Sequence, residues 1–215
     1  MANLIGIAGE PGSGKSTSLK GLPPDQTVIF DCDGKGLNWK GWKKEYCSSK
    51  NNYFRISEPE KVIQGLKSVA TADMFKHVHF VVVDTVNNLM VSEEMRRCRE
   101  KGYDKWMDLA QSIWNLVELP GKFREDLTVI LVFHTQTERT EDGYERIRIK
   151  TNGRKTEKND IDSKFNWLLR SVKLGDKYMF EVTSHNSTSR TPLGAFEEDY
   201  IPNDITKVLE VMKEY

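Results

Sequence analysis

Cysteine is scarce in this chain. Its 215 residues hold three (Cys32, Cys47 and Cys98), an odd number with no Cys-x-x-Cys pair. That argues against a disulfide scaffold or a zinc ribbon and predicts reduced thiols in a cytoplasmic protein. Long hydrophobic runs are also missing. The longest are strand-sized, so the sequence offers no membrane span. Neither sign of charge is in excess, with Lys plus Arg and Asp plus Glu both at 32. Any polyanion contact must therefore come from local clustering. The opening "MANLIGIAGE" lacks a basic n-region and reads as a strand rather than a signal peptide. No internal repeat or low-complexity segment interrupts the chain.

What remains is a globular composition, 38% hydrophobic and 30% charged, in a length that suits one domain over 1–215. The first two thirds alternate short apolar runs with amphipathic stretches. "NLIGIAG" (3–9), "TVIFDCD" (27–33), "HVHFVVVDT" (77–85) and "LTVILVFHTQ" (127–136) read as buried strands. A helix is expected from Lys15 to about Gly21, stopped by Gly21 and Pro23-Pro24. Ser57 and Glu60 suggest a capping box before a helix that buries Val62, Leu66 and Val69. Residues 87–118 read as helical with a break near "KGYD" (101–104), and Trp106, Ala110, Ile113 and Val117 form an inward stripe.

Alternation of strand and helix predicts an α/β fold with a mostly parallel sheet. The last third differs. "ERTEDGYERIRIKTNGRK" reads as a hairpin over 137–160, and "WLLRSVKLGDKYMFEVTSH" as two antiparallel strands around Gly175-Asp176. A final helix after Asn203 turns Ile205, Val208, Leu209 and Met212 inward. Residues 161–215 are thus expected to complete the core.

The chemistry starts at "GEPGSGKS". Gly9, Glu10, Pro11, Gly12, Ser13, Gly14, Lys15 and Ser16 match the phosphate-loop pattern in full, with Thr17 following. Its glycines let backbone N–H groups turn toward phosphates, and a following helix would add its positive end. Lys15 is positioned to reach the terminal phosphates, and Ser16 to ligate Mg²⁺. A second Mg²⁺ ligand is offered by Asp84, at the end of "HFVVVD". For the attacking water, Asp33 is the preferred carboxylate. Asp31 lies deeper on the same strand, and Glu10 is the fallback base. His134 and Gln136 are alternative sensors of the γ-phosphate. His77 and His79 share a strand face, but no Cys or acid stands at ligand spacing, so they read as strand histidines rather than a metal site.

Two stretches bear on a polymer. Arg146, Arg148, Lys150, Arg154 and Lys155 lie in the basic hairpin, where they either grip DNA phosphates or serve as a solvated face diluted by acids. Lysines among Trp39, Trp42 and Tyr46 either stack bases or decorate a surface whose aromatics enter the core. Arg190 in "NSTSRTPLG" is either a finger reaching a neighbouring subunit's nucleotide or a loop arginine in a salt bridge.

The order of these features resembles the RecA-like ATPases: phosphate loop, strand ending in an acid at Asp33, "FVVVD" ending at Asp84, polar strand end at 134–136, then a basic hairpin. "HTQTE", "TNGRKTEK", "SRTPLG" and "IPNDITKVLEVM" are similar to short phage-encoded RecA-core proteins. The resemblance implies ATP and Mg²⁺ as cofactors, Asp33 at the place of the catalytic carboxylate, and glutamine sensing at Gln136. It implies DNA-stimulated ATP hydrolysis and action on single-stranded DNA in recombination or annealing. It also implies a homo-oligomer working beside a single-strand DNA-binding protein, in the host cytoplasm if phage-encoded. Three rivals share the phosphate loop: a nucleoside or small-molecule kinase, a non-hydrolysing nucleotide-gated assembly module, and a packaging or helicase motor.

Overall fold

The computed structural model describes residues 1–102, 104–139, 143–151 and 160–215. Among these, nine strands form one sheet. In chain order they are β1 (Asn3–Gly9), β2 (Thr27–Asp31), β3 (Tyr53–Arg55), β4 (Phe80–Asp84), β5 (Thr128–Arg139), β6 (Glu145–Ile149), β7 (Trp167–Leu174), β8 (Lys177–Glu181) and β9 (Tyr200–Pro202). The order across the sheet is β3-β2-β4-β5-β1-β7-β8-β9, with β6 pairing the far end of β5. Strands β3 through β7 in this order run parallel, while β8 and β9 join antiparallel. This is the α/β architecture that the alternating pattern predicts.

The parallel strands are apolar on both faces because both faces are covered. In "FVVVD" the side chains alternate: Val81 and Val83 enter one core, Val82 the other. The first core takes Val62, Leu66 and Val69 from α2 (Pro59–Thr71), Leu89 from α3 (Val86–Arg96) and Ile113 and Val117 from α4 (Asp104–Glu118). The second packs Ile5, Ile7, Ile130 and Val132 against Leu19, Leu22, Ile205 and Val208. The last two come from α5 (Ile205–Met212), whose first turn is capped by the Asp204 carboxylate accepting from Thr206 N–H. The short helix α1 (Trp42–Glu45) lies in the segment after β2. Trp39 and Tyr46 are buried there, with Trp39 Nε1 donating to Glu45 and Tyr46 packing edge-on against it. Those two aromatics therefore belong to the core, not to a stacking surface.

Local expectations shift in several places. The helix expected from Lys15 to about Gly21 begins only at Thr17 and is a five-residue 3-10 helix, Thr17–Gly21. The Ser18 hydroxyl takes the Lys15 carbonyl at 2.6 Å, and such a local bond competes with regular helix extension. β2 ends at Asp31, leaving Cys32 and Asp33 in a bend, and β4 begins only at Phe80. No capping box forms at Ser57 and Glu60. Glu58 is the N-cap of α2, without a side-chain capping bond, and its carboxylate pairs with Lys61 and Arg96. Trp106, in the first turn of α4, is 37% exposed, whereas Ala110, Ile113 and Val117 are buried as expected. The helical break is real and lies between Arg96 and Asp104. No helix among the described residues is long and apolar enough to cross a membrane.

Candidate nucleotide site

The carboxyl ends of the parallel strands gather at one edge, where an open α/β sheet places its ligand crevice. β1 runs into the phosphate loop. β5 lies between β1 and β4, so His134 stands between the loop and Asp84. β2 flanks β4 on the other side and delivers Asp31 beside Asp84. A cleft of about 330 Å³ opens over these ends. Its walls include Pro11, Gly12, Gly14, Lys15, Ser16 and Thr17 of the loop, and Asp33, Lys35, Asp84, His134 and Tyr178 opposite.

The loop and the strand-end acid meet directly. Ser16 Oγ donates to Asp84 Oδ2 at 2.6 Å across 68 residues of sequence. Lys15 is buried, and its Nζ donates to the Gly9 and Glu10 carbonyls at 2.9 and 2.8 Å. Burial pulls the Lys15 ammonium down to about 8, against the attraction of Asp84 and Asp33. Burial likewise pushes Asp84 up to about 6, opposed by the Ser16 hydrogen bond and reinforced by Asp33. The cleft thus holds one cation and one anion whose charged forms lack solvent. An anionic phosphate chain and a hard cation are the partners such groups accept. The Ser16 hydroxyl and Asp84 carboxylate are both oxygen donors of the kind Mg²⁺ takes. Among the described residues no cluster of three or more His, Cys, Asp or Glu side chains could hold a metal on its own.

The two acids of β2 and its bend have different surroundings. Asp31 is buried, and its carboxylate accepts from Gly34 N–H and Gly36 N–H at 2.8 Å each and from the Tyr53 hydroxyl. It shapes the 34–36 turn, where both glycines have positive φ. Asp33 faces the cleft, accepting from Thr85 Oγ1 and pairing with Lys35, each at 2.8 Å. We expect Asp31→Ala to lower unfolding free energy by about 3 kcal/mol, since three donors lose a charged acceptor. Urea unfolding checks this; a change within about 0.5 kcal/mol would show that the turn holds without it. Cys32, between them, is buried beneath these acids. Burial and the neighbouring carboxylates push its thiol well up, which leaves it unreactive.

His134 lines the cleft and Gln136 does not. Burial lowers the His134 imidazole, and Lys15 lowers it further. Its Nδ1 is buried without a hydrogen-bond partner. Gln136 has passed beyond the crevice and pairs with Arg148 across the β5–β6 ladder. Glu10 is exposed and, with Ser13, faces a neighbouring hollow on the other side of the loop, lined also by Arg170 and Ser171. Among the hairpin cations, Arg146 and Lys150 are exposed. Arg148 turns inward to Glu138 at 3.1 Å and toward Asp162 at 3.6 Å. Arg154 and Lys155 lie outside the described residues. Arg190 pairs with Leu168 beside β7 and donates to the Thr188 carbonyl; it does not line the cleft.

Several residues that shape the site carry no local sequence signal. Ser171 Oγ donates to the Ser13 carbonyl at 2.7 Å, and Asn203 Nδ2 to the Gly14 carbonyl at 2.9 Å. A Cβ on Gly14 would fall 2.4 Å from Asn203 Nδ2 and 3.0 Å from the Tyr178 ring, at a φ of +101°. Only glycine fits there. The phosphate loop is therefore held from β7, β8 and the turn before α5.

A mostly parallel sheet, a glycine-rich loop after its β1 strand, and a carboxylate bonded to the loop serine from a strand two places away define a P-loop nucleoside triphosphatase. The chain belongs to the AAA domain family, whose model matches residues 1–191. It is accordingly a nucleotide-binding P-loop ATPase, of a class that typically works with Mg²⁺. No curated protein resembles the chain closely enough to count as a match.

Proposed function

We propose that this chain is a RecA-like ATPase of the phage-encoded type, which hydrolyses ATP with Mg²⁺ to change its hold on single-stranded DNA during recombination or annealing. One observation carries the coupling. β5 is continuous from Thr128 to Arg139, so the same strand lines the nucleotide cleft at His134 and forms the β5–β6 hairpin beyond it.

In this reading the loop N–H groups and Lys15 bind the triphosphate, with Lys15 exchanging its two loop carbonyls for phosphate oxygens. Ser16 and Asp84 hold Mg²⁺, which when bound neutralises charge developing on the phosphates. Asp33, fixed by Thr85, orients the attacking water and accepts its proton. Of the two candidate sensors, His134 takes the role, because it lines the cleft and Gln136 does not, and because the His134 Nδ1 is buried without a partner. Loss of that phosphate alters β5 and so the hairpin. Among the described residues Arg139, Arg146 and Lys150 are hairpin cations open to a DNA backbone, whereas Arg148 supports the hairpin from inside. A homo-oligomer and a single-strand DNA-binding protein complete the proposal. The position of Arg190 away from its own cleft leaves it available to a neighbouring subunit.

The test is Mg²⁺-dependent ATP hydrolysis and oligonucleotide binding, measured together. Hydrolysis should rise with single-stranded DNA, and DNA affinity should depend on nucleotide and fall with salt. Arg146→Ala with Lys150→Ala should weaken DNA binding and reduce the salt slope by about two. Hydrolysis indifferent to DNA, with phosphate passed to a nucleoside, would favour the kinase. ATP binding without turnover would favour the assembly module.

A further inference from the structure

Asn87 is buried and three residues beyond Asp84, in the first turn of α3. Its side chain joins β5 at His134 to the residue that follows β6. Oδ1 accepts from the His134 backbone N–H at 2.7 Å, and Nδ2 donates to the Lys150 carbonyl at 2.7 Å. The Lys150 N–H in turn donates to the His134 carbonyl at 2.8 Å. His134 and the end of β6 are thus tied twice, once by a backbone bond and once through both halves of a single amide. Asn88, the next residue, donates to the Cys32 carbonyl, immediately before Asp33.

The first turn of α3 therefore touches the bend after β2, β5 at His134 and the residue after β6, and follows directly from Asp84 and Thr85. Thr85 is itself bonded to Asp33. A primary amide suits the place because one half must accept and the other donate. Aspartate of the same size would keep the acceptor toward His134 but set a carboxylate against the Lys150 carbonyl. Both groups that Asn87 satisfies are backbone, so the link does not depend on a side-chain rotamer elsewhere.

We propose that Asn87 is the positioning residue that transmits the state of the nucleotide cleft to the hairpin at 145–150. It acts through backbone contacts and does not touch the nucleotide. Movement of Asp84 or Asp33 on binding or turnover displaces the start of α3, and the amide carries that displacement to Lys150. The inference rests on the reading that nucleotide binds this cleft, but not on the identity of the polymer that the hairpin meets.

The test is hydrogen–deuterium exchange of peptides covering 143–151, with and without Mg²⁺ and a non-hydrolysable ATP analogue, beside calorimetric titration of the same analogue. In the unaltered chain, binding should change exchange in those peptides. In Asn87→Asp the analogue should bind with near-normal affinity, while the change at 143–151 shrinks by about fivefold or more, the lower end of ordinary coupling between sites. A merely structural asparagine would shift exchange equally with and without nucleotide. Asn87→Leu, close to asparagine in shape, deletes both amide bonds without setting a charge against the Lys150 carbonyl. It should give the same loss, and it decides the matter if Asn87→Asp does not fold. Normal binding with a full response in a folded variant would overturn the inference alone, as would binding without any response in the unaltered chain. Failure of the unaltered chain to bind the analogue would overturn the reading of the cleft and this inference with it.

Discussion

Lys15→Ala is expected to reduce Mg²⁺-ATP hydrolysis by at least about 10²-fold, the order seen when one preorganised charge-stabilising donor is removed. The reason lies in the surroundings of Lys15. Its ammonium is buried in the loop with Asp84 and Asp33 near enough to affect its titration. A charge in such a site acts on phosphate with little screening by water, so its loss is not made good by solvent. Lys15→Arg should not restore activity, because the planar guanidinium cannot take the place of a compact ammonium between the Gly9 and Glu10 carbonyls. Steady-state hydrolysis and analogue binding separate the lost affinity from the lost turnover. Activity within about tenfold of normal would remove Lys15 from the phosphate-binding role.

Asp33→Asn should separate binding from chemistry. The substitution keeps an oxygen for Thr85 Oγ1 and loses only the pair with Lys35, whose side chain is 72% exposed. Exposed pairs contribute about 0–1 kcal/mol, so folding stability should hardly move. Analogue binding should persist as well. Turnover, however, should fall by about 10²–10⁴-fold, the usual contribution of a positioned general base. Glu10→Gln is the matched comparison, since Glu10 is the loop's own carboxylate and faces the neighbouring hollow rather than the cleft. If Glu10→Gln loses turnover and Asp33→Asn does not, the water-positioning role moves to Glu10.

The phosphate loop and Asp84 were legible because their chemistry is local: a fixed glycine spacing, and an acid closing an apolar strand. The two-sided core was legible for the same reason, since "FVVVD" and "TVILVF" leave no polar face. Asp31 and Asp33 could not be separated by pattern. What distinguishes them is the Tyr53 hydroxyl, 22 residues on, which commits Asp31 to structure. The helix after the loop was overestimated because Ser18 has a carbonyl of its own to bind. Glu58 is the N-cap of α2, but its carboxylate does not cap; it pairs with Lys61 and with Arg96 from α3. Trp39 and Tyr46 resolve toward the core once α1 lets them pack on each other. Asn87 reads from sequence as one polar residue in a helix; its meaning lies in β5 at His134 and in Lys150 just past β6.

The grip of Ser171 and Asn203 on the phosphate loop bears on how the protein comes to life during synthesis. These contacts span 158 and 189 residues, so they are among the last to form as the chain leaves the ribosome. The loop that meets phosphate is made early, but its shape is fixed only when β7 and the turn after β9 dock. Such distant closure is slow to reach. Nascent chains should consequently pass through a stage in which β1 and its glycines exist without nucleotide affinity. Competence to take up ATP would then arrive abruptly, as a signal that assembly of the whole sheet is complete.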